Sequence, residues 1–107
     1  MKTPNGYTAD EPTREEVDRW TGAAVIELGT DWCGYCRAAQ PIIAAGLGER
    51  AGLKHIKVED GKGRPLGRSF HVKLWPTLVF LRDGKEVARL VRPERAEQVA
   101  EALARTR

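Results

Sequence analysis

Apolar and polar positions alternate along this chain in runs that predict its elements one after another. Thr13-Arg14-Glu15-Glu16 has the spacing of a capping box, and Val17 and Trp20 follow at i and i+3. This predicts a first helix over about 12–21, ended by Gly22. Ala24-Val25-Ile26-Glu27-Leu28 is a short apolar run with one carboxylate inside it, the pattern of a buried strand. After a loop at 29–32, Ala39, Ile42, Ile43 and Leu47 mark the apolar face of a second helix running to about 50. Pro41 lies inside that helix and is expected to kink it. A strand over 53–58, a loop at 60–65, a short helix over about 65–71 and a strong strand over 77–81 follow. Asp83-Gly84 is a hairpin signal, so 86–91 returns antiparallel. Pro93 is expected to open a last helix whose buried face carries Ala96, Val99, Ala100 and Leu103.

These elements give an α/β fold: a small mixed sheet flanked by helices on both faces. Residues 1–11 read as a polar N-terminal segment, with Tyr7-Thr8-Ala9 as a short edge strand. Residues 12–107 read as a single domain, in keeping with a 107-residue chain that is 41% hydrophobic.

Charge changes the picture little. The net charge is +3, but Lys and Arg are interleaved with Asp and Glu along the whole chain. No basic block with aromatics stands out, which argues against nucleic acid as a partner. No apolar run is long enough to span a bilayer, and no apolar leader core follows Met1-Lys2. The expectation is a soluble, cytoplasmic monomer without membrane contact.

The two cysteines, Cys33 and Cys36, change the picture most. A bridge closing so short a loop removes little entropy from the unfolded chain, so a structural staple is a poor explanation. Zinc needs two further ligands. His55 and His71 are wrongly spaced, and no second Cys-x-x-Cys exists. No His follows Cys36, which excludes the c-type haem pattern. Neither metal nor cofactor is expected. At a helix start, unpaired backbone N–H groups and the helix dipole stabilise a thiolate at the first cysteine. Cys33 is therefore the expected nucleophile, and Cys36, one turn deeper, the resolving thiol.

Asp31-Trp32-Cys33-Gly34-Tyr35-Cys36-Arg37 resembles the active-site segment of the thioredoxin family, usually Trp-Cys-Gly-Pro-Cys-Lys. Pro41 matches the proline of that family's active-site helix. Trp75-Pro76-Thr77 matches its cis-proline segment, and residues 80–84 its next strand and turn. The resemblance runs from about Ala24 to the C-terminus and more weakly over the first helix. It implies the thioredoxin fold and a thiol-disulfide oxidoreductase that helps maintain cellular redox balance. Its partners would be protein disulfides and a reductase or small-thiol electron donor. Two other readings stay open: a redox-responsive protein-binding module, and an oxidase or isomerase with a less reducing potential.

The resemblance also implies roles for further residues. Glu27 would be a carboxylate buried beneath the cysteines, its pKa raised by burial, exchanging a proton with Cys36. The bland alternative is an edge-strand glutamate facing water. Lys57 matches the family's lysine partner of that carboxylate, or is an ordinary surface lysine. Trp32 and Trp75 would form an apolar rim, or be core tryptophans. With Gly34, Tyr35 and Pro76 they would contact substrate, Pro76 aligning the Trp75 backbone beside an extended segment. Three positions depart from the family pattern: Tyr35 replaces a proline, Gly29 an aromatic residue, and Arg92 a glycine beside the substrate groove.

Overall fold

A computed structural model describes residues 6–107. The first five positions of the N-terminal segment lie outside the described residues. In chain order the elements are α1 (Arg14–Asp18), β1 (Ala23–Gly29), α2 (Gly34–Leu47), β2 (Lys54–Glu59), α3 (Pro65–Ser69), β3 (Thr77–Arg82), β4 (Lys85–Val91) and α4 (Ala96–Ala104). The sheet runs β2-β1-β3-β4. β1 pairs parallel with β2 and antiparallel with β3, and β3 pairs antiparallel with β4.

Strand alternation divides the interior into two layers. Val25, Leu78 and Phe80 face α2 and α4, where they meet Ala39, Ile43, Leu47, Val99 and Leu103. Ala24, Ile26, Leu28, Val79 and Leu81 face the other way, against Val17, Leu66 and Phe70 of the α1 and α3 side. Glu27 alternates with Ile26 and Leu28, so it belongs to the α2 side and is fully buried there. The close approach of α2 to α4 requires Gly46: a β-carbon there would lie 2.4 Å from Val99 Cβ and 2.6 Å from the Ala96 carbonyl oxygen.

Boundaries differ from the sequence expectation where local bonds intervene. α1 stops at Asp18, short of residue 21, because Arg19 and Trp20 donate to carbonyls three residues back and tighten the turn. α2 ends at Gly48, whose φ of 60° turns the chain out of the helix before residue 50. Pro41 sits inside α2, where its missing N–H removes one rung of the ladder. α3 is shorter than expected, closing at Ser69. Pro93 does not open α4. The Gln98 side-chain oxygen takes the N–H groups of Glu94 and Arg95 at 2.8 and 3.0 Å, so the helix starts at Ala96. The hairpin is as the sequence reads: Asp83 and Gly84 both have positive φ, as a two-residue turn of this hand demands. The expected edge strand at Tyr7-Thr8-Ala9 reduces to one parallel bridge between Thr8 and Val58, on the outer edge of β2.

Candidate active site

Cys33 is the N-cap of α2, with extended backbone at φ −80° and ψ 121°. Its Sγ accepts the Cys36 N–H at 3.2 Å, satisfying one of the donors a helix start leaves unpaired. Both cysteines are free thiols; Cys33 keeps 8% exposure and Cys36 none. Burial, reinforced by hydrogen bonding with Cys33, pushes the Cys36 thiol up to about 12. Cys33 thus keeps a narrow opening to solvent at the helix mouth, and Cys36 behind it has none and is held protonated.

Beneath them lies a buried polar cluster. Glu27 Oε2 accepts from the Tyr7 hydroxyl at 2.5 Å and from Gln40 Nε2 at 2.8 Å. His55 Nε2 lies 3.2 Å from Glu27 Oε1. Gln40 Nε2 also donates to the Cys36 carbonyl at 2.9 Å, and Lys57 Nζ donates to Gln40 Oε1 at 2.7 Å. The expectation that burial raises the Glu27 pKa is corrected here. Burial does act upward and is the largest single effect. The hydrogen bonds from His55, Gln40 and Tyr7, with the Lys57 charge, together outweigh it and hold the carboxyl below its ordinary range. The Tyr7 phenol shifts the other way, raised by burial and by the adjacent Glu27 charge.

The rim is apolar and open. Trp32 is 73% exposed and Tyr35 61%, and Leu74 and Val91 are exposed as well. Trp32 meets the half-buried Trp75 edge to face, centroids 5.7 Å apart. Trp75 Nε1 donates to Asp60 Oδ2 at 2.8 Å, and the Trp75–Pro76 peptide bond is cis. Gly34, the first residue of α2, has open space where a side chain would stand. A groove of ≈ 680 Å³ runs from Tyr35 past Ile42 and Leu74 to Arg92. Arg92 spans its end: its guanidinium carbon lies 3.7 Å from the Tyr35 ring centroid, and Nε donates to the Trp75 carbonyl at 2.8 Å.

Of the seven other sequence-derived site positions, Glu27 and Lys57 lie below the cysteines and Trp32, Gly34, Tyr35 and Trp75 around the rim, with buried Pro76 following Trp75. Sequence reasoning missed Tyr7, Gln40 and His55. Gln40 carried a signal, since i+4 from Cys36 places it one turn down the same helix face. Among the described residues, no group of three or more His, Cys, Asp or Glu is arranged to hold a metal ion, and no helix is long and apolar enough to cross a membrane.

Comparison with known proteins agrees with this arrangement. The sequence profile described as thioredoxin matches residues 7–105. The structure of thioredoxin 2 from Pseudomonas aeruginosa PAO1 in its reduced form superposes with a TM-score of 0.81 at 58% identity, covering 95% of this chain and 93% of that one. Thioredoxin H-type 1 of Nicotiana tabacum is 33% identical over 73 residues, 68% of this chain and 58% of the tobacco protein. The thioredoxin of Chlamydia trachomatis serovar D is 35% identical over 72 residues, 66% of this chain and 70% of its own. The matched stretch thus spans little more than half of the tobacco relative.

Proposed function

The chain belongs to the thioredoxin family, and we propose from its site that it is a thiol-disulfide oxidoreductase reducing or exchanging protein disulfides. The observation that carries this reading is the asymmetry of the two thiols: Cys33 caps the helix and keeps a little exposure, and Cys36 has none and is held protonated. Cys33 attacks a substrate disulfide and forms a mixed disulfide. Cys36 then attacks Cys33, closing the protein's own disulfide and releasing the substrate thiolate. Glu27 accepts the Cys36 proton, with Lys57 acting on it through Gln40. Trp32, Gly34, Tyr35, Trp75 and Pro76 form the contact surface for the substrate chain. A reductase or a small thiol returns the electrons. A reducing, cytoplasmic location and a monomeric state suit a dithiol that must be regenerated.

Reduction of insulin with dithiothreitol as the electron source tests the proposal. Turnover above the dithiothreitol background is expected, and its loss in Cys33→Ser. Absence of turnover in the native chain would favour a redox-responsive binding module instead. The exposed tyrosine between the cysteines bears on the oxidase or isomerase reading, because a proline there would stiffen the first helical turn. The reduction potential is expected between about −270 and −180 mV, moving more negative in Tyr35→Pro. A value near about −120 mV in glutathione buffers would mark an oxidase.

A further inference from the structure

We propose that Tyr7 is the proton relay between Cys36 and Glu27 in the resolving step, a place opened to it by the missing side chain at Gly29. The proposal rests on the reading above that Cys36 resolves the mixed disulfide.

Three observations converge on Tyr7. The segment that carries it is fixed to the sheet: Thr8 exchanges two backbone bonds with β2, and the Tyr7 N–H donates to Asp31 Oδ1 at 3.0 Å. Its ring tip meets the buried sulfur over Gly29. A β-carbon on Gly29 would lie 2.6 Å from Cys36 Sγ and 3.0 Å from both Cζ and the hydroxyl oxygen of Tyr7. Finally, the hydroxyl donates to Glu27 Oε2. Its single proton is thereby committed to the carboxylate, and the lone pairs on the same oxygen remain for Cys36, whose side chain packs with the Tyr7 ring across Gly29.

The groups facing this relay are Glu27 from β1, His55 and Lys57 from β2, Cys33 and Cys36 from α2, and Asp31 from the loop. Lys57 Nζ stands 4.7 Å over the Tyr7 ring and favours negative charge on the cluster.

The step balances as follows. The Cys36 proton passes to the Tyr7 oxygen as the Tyr7 proton passes to Glu27 Oε2. The sulfur electron pair freed at Cys36 forms the bond to Cys33. The bond between Cys33 and the substrate sulfur breaks, and that sulfur leaves with its electron pair as a thiolate. The protein dithiol is oxidised and the substrate disulfide reduced. Burial and Glu27 hold the phenol protonated, and the Cys36 thiol is also held up, so neither ion forms ahead of the displacement. Both proton transfers accompany sulfur–sulfur bond formation.

Stopped-flow reaction of the reduced chain with dithiobis-nitrobenzoate separates the steps. Attack by Cys33 releases one nitrothiobenzoate, and resolution by Cys36 releases the second. In Tyr7→Phe the ratio of second-phase to first-phase rate is expected to fall by about 100-fold, the lower end of what a lost proton-transfer group costs. The solvent deuterium effect on the second phase, which a purely structural tyrosine would not move, should shrink with it. Adding Glu27→Gln to Tyr7→Phe should slow the second phase little further, since both act on one transfer. An unchanged ratio in Tyr7→Phe, or fully additive losses, overturns the relay. Gly29→Ala keeps the hydroxyl but wedges it from the sulfur, so it should also slow the second phase; a native rate there overturns the relay even if Tyr7→Phe folds poorly. Release of only one equivalent by the native chain would remove the resolving role of Cys36, and the relay with it.

Discussion

Glu27 and Lys57 lie directly opposite each other on neighbouring parallel strands, yet their side chains meet only through Gln40. The amide turns its oxygen to the ammonium and its nitrogen to the carboxylate, serving both charges at once. Direct closure would compete with Tyr7 and His55, which already hold the carboxylate.

Replacing Gln40 by alanine leaves the Lys57 ammonium without its acceptor and the Glu27 carboxylate without one donor, both buried. The expected loss is about 2–3 kcal/mol, the scale of buried polar groups stripped of a partner. Urea unfolding of Gln40→Ala at neutral pH measures it. A change under about 0.5 kcal/mol would show that the two charges re-pair without the amide.

Stability should depend on Glu27 in a pH window of known sign. Its folded pKa lies below the ordinary 4.5, because hydrogen bonds and the Lys57 charge overcome the larger upward pull of burial. A depressed carboxyl stabilises the fold fully above the unfolded value and loses that contribution as pH falls through the folded one. Glu27→Gln should therefore unfold at lower urea than the native chain at pH 7, and the gap should narrow as the pH drops below 4.5. A gap constant from pH 7 to about 3 would mean that packing and not ionisation is responsible.

The thiols should react unequally. Cys33, slightly exposed at the helix start, is expected to take up iodoacetamide first, while fully buried Cys36 lags. Cys36→Ser should accumulate mixed disulfides with protein substrates and Cys33→Ser none. Mass spectrometry of the alkylated reduced chain decides the order, and faster labelling of Cys36 would reverse the roles.

Arg92 occupies left-handed backbone at φ 51°, which a glycine adopts freely. Arg92→Gly relieves that conformation and gives up the contact with Tyr35, so stability should move by less than about 1 kcal/mol. The functional effect should be larger. With Arg92 Nε gone, the Trp75 carbonyl becomes free to accept from a substrate backbone. The KM for insulin should fall with kcat little altered. A raised KM would instead make the guanidinium a substrate contact.

Gly46 tests the packing of α2 on α4. Alanine has the better helix propensity by about 1 kcal/mol, but its β-carbon would collide with Val99 and the Ala96 carbonyl. A net destabilisation of about 1–2 kcal/mol is expected from urea unfolding of Gly46→Ala, since the obstruction includes backbone. A more stable variant would show that α4 can move aside.

The parts of this architecture that follow local rules were legible before the structure. The hairpin at Asp83-Gly84, the alternation of β1 and the two faces of the sheet each depend on a few adjacent residues. The cysteines, the carboxylate beneath them and the rim were legible through the resemblance around Trp32-Cys33-Gly34-Tyr35-Cys36. The polar cluster was legible only in part. Leu53, His55 and Lys57 alternate onto one face, but nothing in that spacing says that His55 reaches Glu27. Tyr7 was out of reach because its position follows from a long-range bridge between Thr8 and Val58, which no local pattern encodes. Gly29, which departs from the family's aromatic residue, was the clue to it, since a residue with no side chain beside a buried sulfur leaves a space that another group must fill.

The Glu27 cluster also constrains which strand pairings the chain can accept while folding. His55 and Lys57 point toward α2 only in the native register, with Val25 opposite His55 and Glu27 opposite Lys57. A slip of β2 by one residue would turn both basic side chains into the oily layer of Val17, Leu66 and Phe70 and leave the carboxylate without them. Stranding buried charge in this way costs several kcal/mol, more than a slipped pair of strands could recover from its backbone bonds. The groups arranged around the thiols thus act as a proofreading device for the sheet: the misaligned product is rejected before the sulfur chemistry has a site in which to occur.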